Sequence, residues 1–389
     1  MFRMTPTRWL TAAGFIATAI SFGPARMGFG LFLPTFRDDF ALTSTQAGLI
    51  ASLGFLAFLL ALPLAAWLDL RVGQRVPVVT GALSATLGFA IVAGATGSAT
   101  LAAGIALAGA SAGLCWAPFN DAAERVVPVA SRPGALSVVS TGTTLGVAAA
   151  GALFLAATLG ELHWRPAWGL FAVIGLGAVL LTARGLPKGI EGAHASRFGS
   201  APFLHRDTAP LYGAALCFGV TNAVFLSFAA DHVVASGGLR GLPDRTAAAV
   251  IFLSYGICGL VGLATGRVEA RLGLPAVLGT IFAAFLASLL LVAMLPGSWG
   301  AVLASAGLHG AAVMMISAVL SFWSLRMFPG RGSLGFTAAL IGVASGSVIG
   351  PAAAGVLADA ADLKTALLAT AAIPLAAMIA FAELARRDR

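Results

Sequence analysis

At 389 residues, 59% of them hydrophobic and only 10% charged, with a mean hydropathy of +0.95, the chain lies far from a soluble globular average and reads as an integral membrane protein. Its net charge of +8 requires no nucleic-acid partner, because the basic residues are scattered over short loops where they face anionic lipid. Three cysteines, Cys115, Cys217 and Cys258, all fall inside apolar runs, which excludes a disulfide framework and a metal-ligand spacing.

A helix needs about 20 apolar residues to cross the hydrocarbon core, and twelve stretches qualify: 9–35, 44–68, 74–96, 99–124, 134–158, 166–186, 208–233, 246–267, 274–295, 299–327, 333–357 and 363–385. The first run is too long for a cleaved leader and lacks a small-residue cleavage site, so it is taken as a span. It contains "SFGPARMGFGLFLP", with a permanent charge at Arg26. Gly23 and Pro24 weaken the helix just before it. Eight residues separate Arg26 from Pro34, roughly 12 Å of helix, a long reach for a snorkelling side chain. Intramembrane charges face cavities or partners and carry function. The second span ends in "AWLDLRVGQR", with Asp69 and Arg71, and the fourth in "WAPFNDAAER", where Trp116, Asn120, Asp121 and Glu124 follow helical spacing and Asp121 stands four residues before Arg125. "GTTLGVAAAG" in the fifth span and "GVASGSVIGPAAAG" in the eleventh place glycines for close helix approach. Asp231 and His232 end the seventh span as interfacial or gating residues, Tyr255 lies in the eighth, and His309 is an isolated polar residue in the tenth. An unperturbed histidine titrates near pH 6.5, which suits a proton site. No Asp or Glu falls at mid-depth in any span, so coupling through a central carboxylate is not expected.

With the N-terminus inside, seventeen of the 23 Lys and Arg residues fall on the inner side, five on the outer side, and Arg26 remains in the membrane. This asymmetry places both termini in the cytoplasm. The segment 184–207 is polar, basic and rich in Gly and Pro, and it divides the spans six and six. The expected organisation is a bundle over 1–183, a linker over 184–207 and a bundle over 208–389. The halves repeat: "SFGPARMGF" meets "CFGVTNAVF" at offset 196, pairing Arg26 with Asn222 and Phe29 with Phe225. "DLRVG" meets "EARLG" at 200, pairing Asp69 with Glu269, Arg71 with Arg271 and Gly73 with Gly273, and Arg125 meets Arg326 at 201. Gly142 and Gly146 match Gly342 and Gly346 at 200. The chain is a duplicated six-helix unit.

On these residues the sequence resembles the major facilitator superfamily over essentially its whole length. The loop after the second span is similar to the family's Gly-x-x-x-Asp-Arg/Lys-x-Gly-Arg/Lys signature through Asp69, Arg71, Gly73 and Arg75, with Ala65 and Leu70 as departures and Gly73 one residue late. The resemblance implies two pseudo-symmetric six-helix bundles. It also implies a cytoplasmic gate contact at Asp69, a cavity lined by spans 1, 4, 7 and 10, and spans 5 and 11 facing the opposite half.

The expected function is secondary transport of a small organic anion by alternating access, by proton coupling or exchange. Arg26, Asn222, Phe29, Phe225, Trp116, Tyr255 and His309 are the substrate candidates. His309, Asp121, Asp231, Asp69, Arg71 and Arg125 are the coupling or gating candidates. No cofactor or metal is expected; the partners are the substrate, protons and the bilayer, with the chain acting as a monomer in a bacterial inner membrane. The alternative is proton-driven efflux of apolar drugs or metabolites, with Arg26 serving the coupling. A remote rival is an intramembrane hydrolase, because "GASAG" at 109–113 matches G-x-S-x-G and His309 is a conceivable base for Ser111. That motif requires a strand-to-helix elbow, however, and here it falls inside a predicted helix. ATP-driven pumping lacks its phosphate-binding loop.

Overall fold

The computed structural model describes residues 5–187, 205–328 and 332–387, and among them the regular elements are helices and three short 3-10 turns. In chain order they are α1 (Pro6–Phe22), α2 (Pro24–Phe40), α3 (Ser44–Val72), α4 (Arg75–Ala93), α5 (Ser98–Val126), α6 (Arg132–Leu159), α7 (Trp164–Gly185), α8 (Ala209–Ala235), α9 (Thr246–Gly259), α10 (Thr265–Leu272), α11 (Leu274–Met294), α12 (Trp299–Met327), α13 (Gly332–Ala360) and α14 (Leu363–Arg387). They form twelve membrane-length spans, α1 with α2 making the first and α9 with α10 the eighth. A helix satisfies its own backbone donors and acceptors, the condition for crossing lipid. Residues 188–204 of the expected linker lie outside the described residues.

Local chemistry sets the helix ends. Thr5 accepts from the Arg8 N–H at 3.4 Å ahead of Pro6, and Thr43 and Gln46 cap each other reciprocally at the start of α3, at 3.0 and 3.1 Å. The first span is not continuous. At Gly23 it breaks, and Pro24, which has no N–H to donate, opens α2. A Cβ on Gly23 would stand 2.6 Å from the Gly146 carbonyl carbon, so only glycine admits the backbone contact between α1 and α6 there. The repeat is equally visible at two helix ends. Gly73 and Gly273 both adopt left-handed backbone, φ 81° and 77°, and their N–H groups close onto the carbonyls of Asp69 and Glu269 at 3.0 and 2.9 Å.

The helices cluster into two compact units, one from residues 1–32 and 53–195 and the other from 33–52 and 196–389. The second unit thus takes in the α2–α3 end, a segment that sequence places in the first half. Within the first unit α1 packs on α6, and α4 packs on α5 and α7. Within the second, α8 packs on α13, α9 on α12 and α11 on α14. The small-residue stripes serve these contacts: Gly142 and Gly146 meet α1 at Phe15, Thr18 and Ala19, while Gly342 and Gly346 meet α8 at Ala215, Leu216 and Val220. The resemblance had turned spans 5 and 11 toward the opposite half, but their glycines are taken up within their own units. Aromatic rings fill the cores. Trp168 collects Phe32, Phe89 and Phe171 at centroid distances of 5.4 to 5.8 Å in the first unit. In the second unit Phe285 stacks on Phe218 at 5.9 Å.

Candidate functional site

Arg26 sits three residues beyond the break at Gly23, half-buried on the first turn of α2. Its guanidinium carbon lies 4.5 Å from the ring centroid of Phe58, 5.5 Å from Phe55 and 5.7 Å from Phe22. Phe55 and Phe58 share one face of α3 by their i, i+3 spacing. Phe22 also meets Trp116 of α5 edge-to-face at 5.6 Å, which extends the aromatic wall to a fourth ring. Each desolvated cation–π contact contributes about 1–2 kcal/mol, so the cage offsets much of the cost of the charge. Stacked rings occupy the faces of a guanidinium and leave its N–H donors in the plane at its edge, the direction in which a carboxylate binds bidentately. Phe29, one turn on along α2, is buried.

The second unit brings together four further candidates. The Tyr255 hydroxyl of α9 donates to Asn222 Oδ1 of α8 at 3.2 Å, both residues being 2% exposed. Phe225 stacks on the His309 ring of α12 at 3.8 Å with planes 12° apart, and Phe285 meets that ring edge-on at 4.8 Å. His309 is fully buried, and its Nδ1 lies 3.0 Å from the Ser288 hydroxyl of α11, which neighbours the Ser305 hydroxyl at 3.3 Å. Its Nε2 has no hydrogen-bond partner among the described residues. A neutral imidazole satisfies this arrangement through one ring nitrogen. Taking up a proton would place a charge between two aromatic faces with no carboxylate beside it.

The remaining candidates separate. Asp69 is half-buried at the end of α3, and Arg71 lays its guanidinium over Trp67 at 5.6 Å. Their repeat counterparts show the contact that sequence pairing implies: Arg326 donates to both oxygens of Glu269 at 2.7 and 2.9 Å, joining the ends of α10 and α12. Arg125 occupies the position equivalent to Arg326. The side chains of Asn120, Asp121 and Glu124 lie outside the described residues. Asp231 is buried rather than interfacial and pairs with Arg37. Ser111 is wholly buried inside the continuous helix α5, so "GASAG" forms no elbow. Sequence reading missed Phe55, Phe58, Ser288, Ser305 and Arg37. The i, i+3 phenylalanines were legible as one face, but nothing in the sequence said that the face meets Arg26.

Twelve apolar spans, an internal six-helix repeat and a charge caged inside a span define a polytopic membrane protein of the transporter type. The family model of the Major Facilitator Superfamily matches residues 14–273, and the chain belongs to that family. No curated protein matches it in sequence. Among solved structures, a point mutant of the nucleoside transporter NupG is similar with a TM-score of 0.81 at 13% identity, over 96% of this chain and 99% of that one. A bacterial homologue of the human lysosomal transporter Spinster, inward-facing and occupied, is similar with a TM-score of 0.71 at 18% identity, over 99% and 98%. At these identities the likeness is one of fold.

Proposed function

We propose that the chain is a secondary transporter that moves a small organic anion by alternating access, coupled to protons or by exchange. The observation that carries this reading is the Arg26 guanidinium, held inside a membrane span by Phe58, Phe55 and Phe22 with its donor edge in the plane between them. A carboxylate of the cargo takes charge-assisted hydrogen bonds from that edge. Asn222, oriented by Tyr255, supplies a second polar contact, and Phe29, Phe225 and Trp116 contribute apolar wall. His309, Asp231, Asp121, Asp69, Arg71 and Arg125 serve coupling or gating. The monomer lies in a bacterial inner membrane with both termini in the cytoplasm, as the inner excess of Lys and Arg dictates.

The test is the thermal stability of the purified protein, wild type and Arg26→Ala, against small carboxylates, inorganic anions, sugars, nucleosides and organic cations. One carboxylate at 100 times its Kd is expected to stabilise the wild type by about 2.7 kcal/mol. Arg26→Ala is expected to abolish that stabilisation. Stabilisation by neutral or cationic compounds alone, unchanged in Arg26→Ala, would sink the anion reading in favour of apolar efflux.

A further inference from the structure

The α2–α3 end of the second unit carries a group of charges that the caged arginine does not involve. Arg37 of α2 directs its Nε to both carboxylate oxygens of Asp231 on α8, at 2.9 and 2.8 Å. Its Nη1 donates to the Leu42 carbonyl at 2.7 Å and its Nη2 to the Ser44 hydroxyl at 3.0 Å. The Asp231 side chain is 4% exposed and that of Arg37 21%. The start of α3 is held at the same place. Asp359 of α13 accepts from the Ser44 and Thr45 N–H groups at 2.8 Å each, where the helix dipole favours an anion. All these contacts fasten residues 33–52, and both ends of that segment run on into the first unit.

The other charges around Asp231 are committed elsewhere. Arg245 binds Asp38, the neighbour of Arg37, at 2.6 Å. His232, next on α8, turns its Nε2 toward the Ala293 carbonyl at 3.4 Å and has Asp362 and Lys364 in its surroundings. Asp359 is occupied by α3. Withdrawing Arg37 would therefore leave a buried carboxylate without a counter-charge, a state far costlier than the intact pair. A proton is the one species small enough to replace the guanidinium there.

We propose that Asp231 is a proton-binding site whose competing occupant is Arg37, so that protonation unlatches residues 33–52 from α8. The step balances: one proton from solution forms an O–H bond on Asp231, two N–H···O contacts are released, and Arg37 keeps its charge and passes to water. The coupling ion thus binds near the end of the seventh span, which reconciles proton coupling with the lack of a mid-depth carboxylate. The proposal rests on the alternating-access reading and is independent of what Arg26 binds.

The experiment replaces Cys115, Cys217 and Cys258 by serine and installs Ser227→Cys, a buried position one turn inside Asp231 on α8. Labelling by an impermeant maleimide is followed in lipid nanodiscs between pH 5 and 8, normalised at each pH to Ser236→Cys, which is exposed. With Asp231 intact, the normalised rate is expected to rise as pH falls, by about tenfold per unit while the latched form dominates, as one linked proton requires. Asp231→Asn, which mimics the protonated acid, should label fast at every pH, as should Arg37→Gln. Asp359→Asn, which loosens α3 without touching the titrating group, should label faster and keep the pH slope. A pH slope surviving in Asp231→Asn or in Arg37→Gln would overturn the proposal, as would a flat profile with Asp231 intact. No substrate enters the assay, so a failed carboxylate screen leaves its result standing, and a flat profile leaves the Arg26 test standing.

Discussion

Arg26 and His309 show how differently two polar side chains are accommodated in membrane helices. The arginine keeps its charge and borrows the quadrupoles of three rings. A double-mutant cycle of Arg26→Leu and Phe58→Leu, read by thermal unfolding, should therefore give a coupling energy of about 1 kcal/mol. Arg26→Lys should not rescue ligand binding, because an ammonium offers neither a planar face to the rings nor a forked edge to a carboxylate. His309 is held instead by one hydroxyl and by stacking. Ser288→Ala leaves its Nδ1 buried without a partner and is expected to cost about 1–3 kcal/mol of stability in calorimetry or denaturant titration. The sequence marked both residues as anomalies. Their opposite treatment depends on Phe58 and Ser288, which come from other helices at separations that no local pattern encodes.

Among the helices, the glycines divide by what they face. Gly146 and Gly346, repeat equivalents, stand against the backbones of α1 and α8. Gly146→Ala and Gly346→Ala are each expected to destabilise by about 1–3 kcal/mol through forced separation of the helices. At Gly279, inside α11, an added Cβ would meet nothing within 4 Å. Gly279→Ala should instead stabilise by about 0.5–1 kcal/mol, the helix-propensity difference. Thermal unfolding of the three variants checks both signs at once. The spacing of these glycines was readable as a packing stripe, whereas the helix each stripe meets was not. A stripe specifies how close a neighbour comes and leaves its identity to the packing of the whole unit.

For the molecule as a whole, the inner excess of Lys and Arg makes a topological prediction. Single cysteines placed at either terminus should resist an impermeant thiol reagent added outside intact cells and react once the membrane is opened. Labelling of one terminus from outside would overturn the orientation on which the inner and outer assignments rest. Residues 33–52, although they belong to the first half by sequence, join the second unit. Sequence reading ended the first half near residue 183 and counted Arg37 merely as one of five outer basic residues. The ion pair with Asp231 spans 194 positions of chain, a separation over which neither partner carries a local mark.

The twelve spans, their positions to within a few residues, the internal duplication and the family were all determined by the sequence itself. Hydrocarbon imposes one rule on every stretch of chain, that each segment be apolar and satisfy its own backbone, and such a rule is written locally. The left-handed caps at Gly73 and Gly273 and the pair formed by Glu269 and Arg326 were likewise legible, because the repeat supplied a second copy for comparison. Only the tertiary structure decided that α1 breaks at Gly23, that Arg26 is caged by α3, that His309 turns to Ser288 and that Asp231 closes on Arg37. These outcomes rest on contacts between helices. In lipid, where every helix is apolar all round, hydropathy carries no sign of which face meets which.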